Sequence, residues 1–310
     1  MKVKFKNHWR TYTAILFSVL AFIFIVWQRD AIARSIKALS LADWKFVALS
    51  LLTFVITVFI ASSIVYVLRL KPIDYKYTLL VQTAGLFLGR ISPANSGSLA
   101  ATGRFLVLQK HSILQAGTVL AAAALATFIG NVFITFFALI TNWQNINLGS
   151  LKLPPFIIIM FLIIVFILVL VMLLFKNLRA KVINAISEVV NTLKAYSHNP
   201  KKVIIAIILG ACLTLFFALT MMLIAHSLDV KLSIFSAIII TSLGSLGVAV
   251  TPLPGGAVGA EAALAASMVQ FGVPAEQALA IALVYRFVTF WLPLLPGYIA
   301  SQYALNKKII

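Results

Sequence analysis

Acidic side chains are scarce: seven Asp and Glu face 25 Lys and Arg in 310 residues, for a formal net charge of +18. All charged residues together make up 10% of the chain, against roughly a quarter in a soluble globular domain, so there is too little charge to clothe a water-facing surface. The basic residues are scattered between apolar runs and never gather on one soluble face, which argues against nucleic acid as a partner. There is one cysteine, Cys212, inside an apolar run, which excludes a disulfide or a thiolate metal cluster within one chain. The four histidines, His8, His111, His198 and His226, fall near predicted membrane edges without ligand spacing, so no metal and no cofactor is expected. No serine-base-acid set and no nucleotide-binding glycine loop is present, and the chain is not expected to be an enzyme.

What is there is hydrophobic: 62% of residues, with a mean hydropathy of +1.08. That composition predicts an all-α polytopic protein of the cell membrane, since helices satisfy their own backbone in lipid. The basic residues then read as cytoplasmic loops, with anionic headgroups as a compatible contact.

In chain order, Lys2, Lys4, Lys6 and Arg10 precede an apolar run over residues 13–27. The run imitates a signal peptide, and an uncleaved first span is expected. A short interfacial helix over 32–41 and a second span over 44–68 follow. Residues 77–88 are apolar but too short to cross, since spanning takes about 20 residues. They run into GRISPANSGS (89–98) and a second short apolar helix over 99–108, which together read as a re-entrant hairpin. Ordinary spans follow over 113–140, 155–175 and 203–225, with a basic interfacial helix over 176–202 between the last two. A second irregular unit comprises an apolar helix over 233–250, the break TPLPGGAVGAE (251–261), a short helix over 260–271 and a final span over 275–300.

The order of parts repeats. Residues 70–140 and 228–299 each read as short helix, Pro/Gly break, short helix, turn and full span within a single transmembrane domain covering 1–310. Three spans separate the two hairpin entrances, so the hairpins enter from opposite faces. The expected architecture is about six full transmembrane helices plus two oppositely oriented hairpins, with both termini cytoplasmic. Arg29, Arg34, Lys37 and Lys45 dissent from that orientation, because the count places them outside.

At each break a half-helix begins at depth, and its free first-turn amides attract phosphate or carboxylate. The candidate substrate-binding residues are Arg90, Pro93, Asn95, Ser96, Gly97 and Arg104 at the first break. At the second they are Pro252, Pro254, Gly255, Gly256, Gly259, Glu261 and Arg286. Ser96 and Ser98 are candidates to cap the first half-helix. Arg286 is the counter-ion expected for Glu261, and the pair reads equally as a structural bridge or a substrate gate, since ionisable residues at membrane depth are costly.

The C-terminal quarter, PLPGGAVGAEAALAASMVQFGVPAEQALAIALVYRFVTFWLPLLPGY (252–298), resembles the lysylphosphatidylglycerol synthase transmembrane-region family. The shared pattern is P-x-P-G-G-x-G-x-x-E, then a short helix, G-V-P, A-x-A and Y-R before the last span. The resemblance implies integral membrane proteins that move lipids or lipid-linked sugars between leaflets, and it places function on Pro252, Pro254, Gly255, Gly256, Gly259, Glu261 and Arg286. At the first hairpin Ser98 stands where the family pattern P-x-x-x-G-E has its acid. No soluble aminoacyl-transfer half is expected after Ile310. The leading expectation is a flippase-like translocase for an anionic phospholipid or a polyprenyl-phosphate-linked lipid. The alternatives are a non-transporting partner of a lipid-modifying enzyme, such as a synthase or glycosyltransferase, and a membrane-embedded headgroup enzyme.

Overall fold

A computed structural model describes residues 26, 29–92, 95–141, 194–197, 199–251, 256 and 259–310. The expected spans over 13–27 and 155–175, and most of the interfacial helix over 176–202, lie outside the described residues. All regular structure among the described residues is helical. The helices are α1 (Arg29–Leu39), α2 (Trp44–Leu68), α3 (Tyr75–Leu88), α4 (Ser96–Leu108), α5 (Ile113–Thr141) and α6 (Pro200–Ser227). They continue with α7 (Ile234–Val250), α8 (Gly259–Gln270), α9 (Ala275–Arg286), a π-turn (Phe287–Trp291) and α10 (Leu294–Asn306). Among the described residues, four apolar stretches are long enough to cross a membrane: α2, α5, α6 and the run from α9 through α10.

The helix starts follow from local chemistry. Asp43 and Asp74 accept backbone N–H bonds from Lys45 (2.9 Å) and Lys76 (2.8 Å), and Ser233 caps α7 by accepting from the Ser236 N–H at 3.1 Å. α6 begins with Pro200 in its first turn, where the missing N–H costs nothing.

Antiparallel α2 and α6 form the axis. At one end the Asp43 N–H donates to the Ser227 carbonyl at 2.8 Å. At the other, Tyr196 Oη donates to the Leu68 carbonyl at 2.6 Å and Lys202 Nζ to the Arg69 carbonyl at 2.9 Å. α3 and α4 follow the Leu68 end of this pair, whereas α7 and α8 follow the Ser227 end. The two helical hairpins therefore start from opposite ends of the molecule.

α4 packs on α5, the long helix that follows it, and α8 packs on α9. The first arm of each hairpin reaches across instead: α3 packs on α10, and α7 on α5 and α6. At the α3–α10 crossing, Phe87 meets Tyr298 edge to face at 5.3 Å between centroids. Two buried apolar clusters result. One centres on α7, α8 and α9 with the Ser227 end of α6, and the other on α3, α4 and α10 with the Leu68 end of α2. α1 lies against α9 and the π-turn, burying Ser35, Ala38 and Leu39.

Candidate functional site

Between the two hairpins lie two adjoining chambers. The polar one, about 750 Å³, is lined by Arg90, Arg286, Tyr285, Thr241, Thr251 and Gly256 among others. The other, about 1300 Å³, is bounded chiefly by apolar side chains such as Ile64, Val65, Leu120, Phe128, Val132 and Leu246. Gln82, Asn95, Ser98, Asn131, Thr214 and Ser245 line both, together with the aromatic Phe217, so the junction is mostly polar.

Arg90 is held by carbonyls that the helices have released. At the end of α3 the Arg90 N–H bonds back to Phe87 rather than Leu86, and the Leu86 carbonyl accepts from Arg90 Nη1 instead. In the last span the Thr289 carbonyl would, in α register, accept from residue 293. That residue is proline and has no N–H, and Arg90 Nη2 donates to Thr289 in its place. The π-turn, closed by the Leu292 N–H to Phe287 carbonyl bond at 2.9 Å, sits at this same point, and such distortions often accompany functional sites. One side chain thus ties the first hairpin to the last span while its charge faces the chamber.

Arg286 is the last residue of α9. Its Nε donates to Glu261 Oε1 at 2.9 Å, with side-chain exposures of 9% and 17% for Arg286 and Glu261. Glu261 lies in the first turn of α8, where a carboxylate also complements the helix dipole, and its second oxygen is buried without a hydrogen-bond partner. Glu261 itself lines neither chamber and stands behind Arg286. The Arg286 guanidinium lies 4.0 Å from the Phe290 ring centroid and that of Arg90 5.5 Å from the same ring. Two cations therefore approach one aromatic ring, and the carboxylate pairs with Arg286.

The other expected residues divide. Asn95, in left-handed conformation at φ 59°, lines both chambers, and Gly256, at φ +65°, lines the polar one. Gly97 and Gly259 line neither. A Cβ on Gly97 would come within 2.3 Å of the Leu88 carbonyl oxygen, and one on Gly259 within 1.7 Å of Thr251 Oγ1, so these glycines let the arms of each hairpin close on one another. Ser96 also lies outside the chambers, and Arg104 sits on the exposed face of α4 rather than at the site. The first half-helix is not capped as expected. Asn95 occupies the cap position without a side-chain bond, and Ser92 Oγ accepts from the Gly97 N–H at 2.8 Å. Pro93, Pro252, Pro254 and Gly255 lie outside the described residues.

The sequence reading missed a polar node. Asn131 Nδ2 donates to Thr214 Oγ1 at 3.0 Å and to Ser242 Oγ at 3.3 Å, and the Thr135 and Ser242 hydroxyls are 2.8 Å apart. Gln82 Nε2 donates to Thr102 Oγ1 at 3.3 Å. A carboxamide in mid-span was the available signal, because polar side chains at that depth bond between helices.

A family model described as the lysylphosphatidylglycerol synthase TM region matches residues 12–297. A protein described as "UPF0104 membrane protein", from Methanothermobacter thermautotrophicus, is 26% identical, with 94% of this chain and 93% of that protein covered. Together with the apolar helices, these matches establish a multi-pass integral membrane protein.

Proposed function

The chain belongs to the lysylphosphatidylglycerol synthase TM-region family, and from that premise we propose that it moves an anionic lipid, a phospholipid or a polyprenyl-phosphate-linked lipid, between leaflets. The observation that carries this reading is the joining of unlike chambers: two guanidiniums line the polar one, and the adjoining larger one is mainly apolar. A phosphate fits the first and acyl or prenyl chains the second. Arg90 and Arg286 are the phosphate ligands in this reading. Glu261 occupies Arg286 when no phosphate is present and limits the cost of a buried cation.

The hairpins α3–α4 and α7–α8 act as re-entrant elements of two inverted units, residues 70–140 and 228–299. Their shared contacts with the opposite unit's helices give a rocking motion a fixed site to pivot around. The Leu68 end faces the cytoplasm, because Arg69, Lys71, Lys76, Lys110, Lys201 and Lys202 cluster there, as short cytoplasmic loops do. Arg29, Arg34, Lys37 and Lys45 at the other end have Asp30 and Asp43 among them in the chain.

The test uses purified protein in phosphatidylcholine vesicles with a tail-labelled fluorescent phosphatidylglycerol, whose outer-leaflet share is quenched chemically. Faster exchange than in protein-free vesicles, lost on Arg90→Gln or Arg286→Gln, is the expected result. Exchange indifferent to both substitutions overturns the site. Chemical turnover of the lipid without exchange overturns translocation in favour of catalysis.

A further inference from the structure

The charges and amides around the chambers also restrict which anionic lipid fits. Of the described residues lining the polar chamber, the charged ones are Arg90 and Arg286, both positive. The larger chamber has no charged residue among the described residues that line it. Glu261 is behind the wall and already bonded to Arg286. The residues of the two breaks outside the described set, Pro93, Ala94, 252–255, Ala257 and Val258, are all uncharged in the sequence. An ammonium group carried by a headgroup would thus meet two guanidiniums and, among the described lining residues, no carboxylate, in a setting where like charges repel strongly.

The junction offers something different. Asn131 gives its NH2 to Thr214 and Ser242, and Gln82 gives its own to Thr102, which leaves each amide oxygen as an acceptor at the cavity wall. Asn95, Ser98 and Ser245 add neutral polar groups on the same stretch. Ser245 Oγ donates to its own helix, to the Ser242 carbonyl at 2.7 Å, and so its oxygen is available to accept. Neutral acceptors beside a cationic pair match hydroxyl donors next to a phosphate. A chamber of about 750 Å³ is also of ordinary ligand-pocket size rather than that of a bare ion.

Resting on the translocation reading above, we infer that the site selects a lipid whose phosphate carries a neutral, hydroxyl-bearing headgroup, and that it discriminates against headgroups bearing an ammonium group. The lipid named in the family's description, lysylphosphatidylglycerol, would then be a poor substrate for this chain.

Three tail-labelled lipids test this in the same vesicles: phosphatidylglycerol, lysylphosphatidylglycerol, and phosphatidylmethanol, which keeps the negative phosphate and lacks hydroxyls. Phosphatidylglycerol is expected to exchange at least about tenfold faster than the lysyl form, from like-charge repulsion. It should exceed phosphatidylmethanol by about fivefold, the worth of one hydrogen bond to a neutral acceptor. Asn131→Leu and Gln82→Leu, made separately so that a folding failure in one leaves the other informative, should each narrow the ratio of phosphatidylglycerol to phosphatidylmethanol. Equal rates for phosphatidylglycerol and its lysyl form overturn the exclusion. Equal rates for phosphatidylglycerol and phosphatidylmethanol, or an unaltered ratio in both variants, overturn the role of the amides. Failure of all three lipids to exchange with folded protein overturns translocation itself, an outcome distinct from exchange without selectivity.

Discussion

At 2.9 Å, with both side chains mostly buried, Glu261 and Arg286 hold each other's charge in an interior that would otherwise expel it. Breaking such a pair from one side leaves an uncompensated ion and costs about 3–5 kcal/mol. Arg286→Gln is therefore expected to lower the thermal unfolding temperature in detergent, and the double variant Glu261→Gln/Arg286→Gln to regain most of the loss. Exchange should stay lost in both, and recovery of exchange along with stability would make the pair structural only. His111 offers a pH-dependent counterpart outside the membrane spans. It is buried, the Lys71 N–H donates to its Nε2 at 3.1 Å, and its Nδ1 lies 3.1 Å from the Leu106 carbonyl, so the ring is neutral with the proton on Nδ1. Burial, the main cause, holds its pKa below the usual 6.5. The unfolded chain then binds this proton more readily than the folded one, so stability is present above about 6.5 and falls as the pH drops below it. Unfolding temperature measured from pH 7.5 to 5 should decline more steeply in the parent than in His111→Gln. The charged residues of the site were legible in the sequence because a lone Glu or Arg in an apolar run is conspicuous. Asn131 and Pro293 were not, because a single amide or a proline near a helix break takes its meaning from a partner on another helix.

Among elements, α5 and α6 cross where two glycines remove the side chains that would hold them apart. A Cβ on Gly130 would lie 2.5 Å from the Ile207 carbonyl oxygen, and one on Gly210 2.8 Å from that of Ala126. In lipid such close approach supplies the packing that the hydrophobic effect does not. Gly117, on the same helix as Gly130, has nothing within 4 Å of a Cβ and is an internal control. Gly130→Leu or Gly210→Leu should destabilise the protein by about 1–3 kcal/mol or more through overpacking. Gly117→Ala should instead gain up to about 1 kcal/mol from helix propensity, and thermal unfolding in detergent orders the three. The long helices were readable because twenty apolar residues admit few alternatives. The arms of the hairpins were readable as short helices, but their neighbours were not: nothing in α3 taken alone says that it rests on α10, a contact made between chain segments some 200 residues apart. The cap at Ser92 was missed for a related reason, since it serves a helix that starts beyond the break rather than immediately after it.

For the whole molecule, the second arms of the two hairpins end alike. α4 closes with Lys110 at φ 67° and a His111 N–H to Leu106 carbonyl bond of 3.1 Å. α8 closes with Gly272 at φ +83° and a Val273 N–H to Met268 carbonyl bond of 3.2 Å. Each is the same left-handed stop with a bond back over five residues, a turn that also ends α6 at Asp229 and α10 at Lys308, and after α4 and α8 it releases the chain into a long apolar helix. Because the turn recurs at other helix ends among the described residues, it reflects backbone geometry more than particular residues, and the inverted-repeat proposal rests on the order of parts. In the proposed topology the hairpins start from opposite ends of the α2–α6 pair, and their outer turns are expected to meet opposite solutions in a sealed membrane. In a background with Cys212→Ala, single cysteines at Ser112 and Lys231, both exposed, test this with an impermeant maleimide. On intact cells Lys231→Cys should label and Ser112→Cys should not, and the order should reverse in inside-out vesicles. Labelling of both from one side would place the two hairpin entrances on the same face. The inverted-repeat reading would then fall, together with the pivot it gives to translocation, while the paired charges at the centre would remain as found.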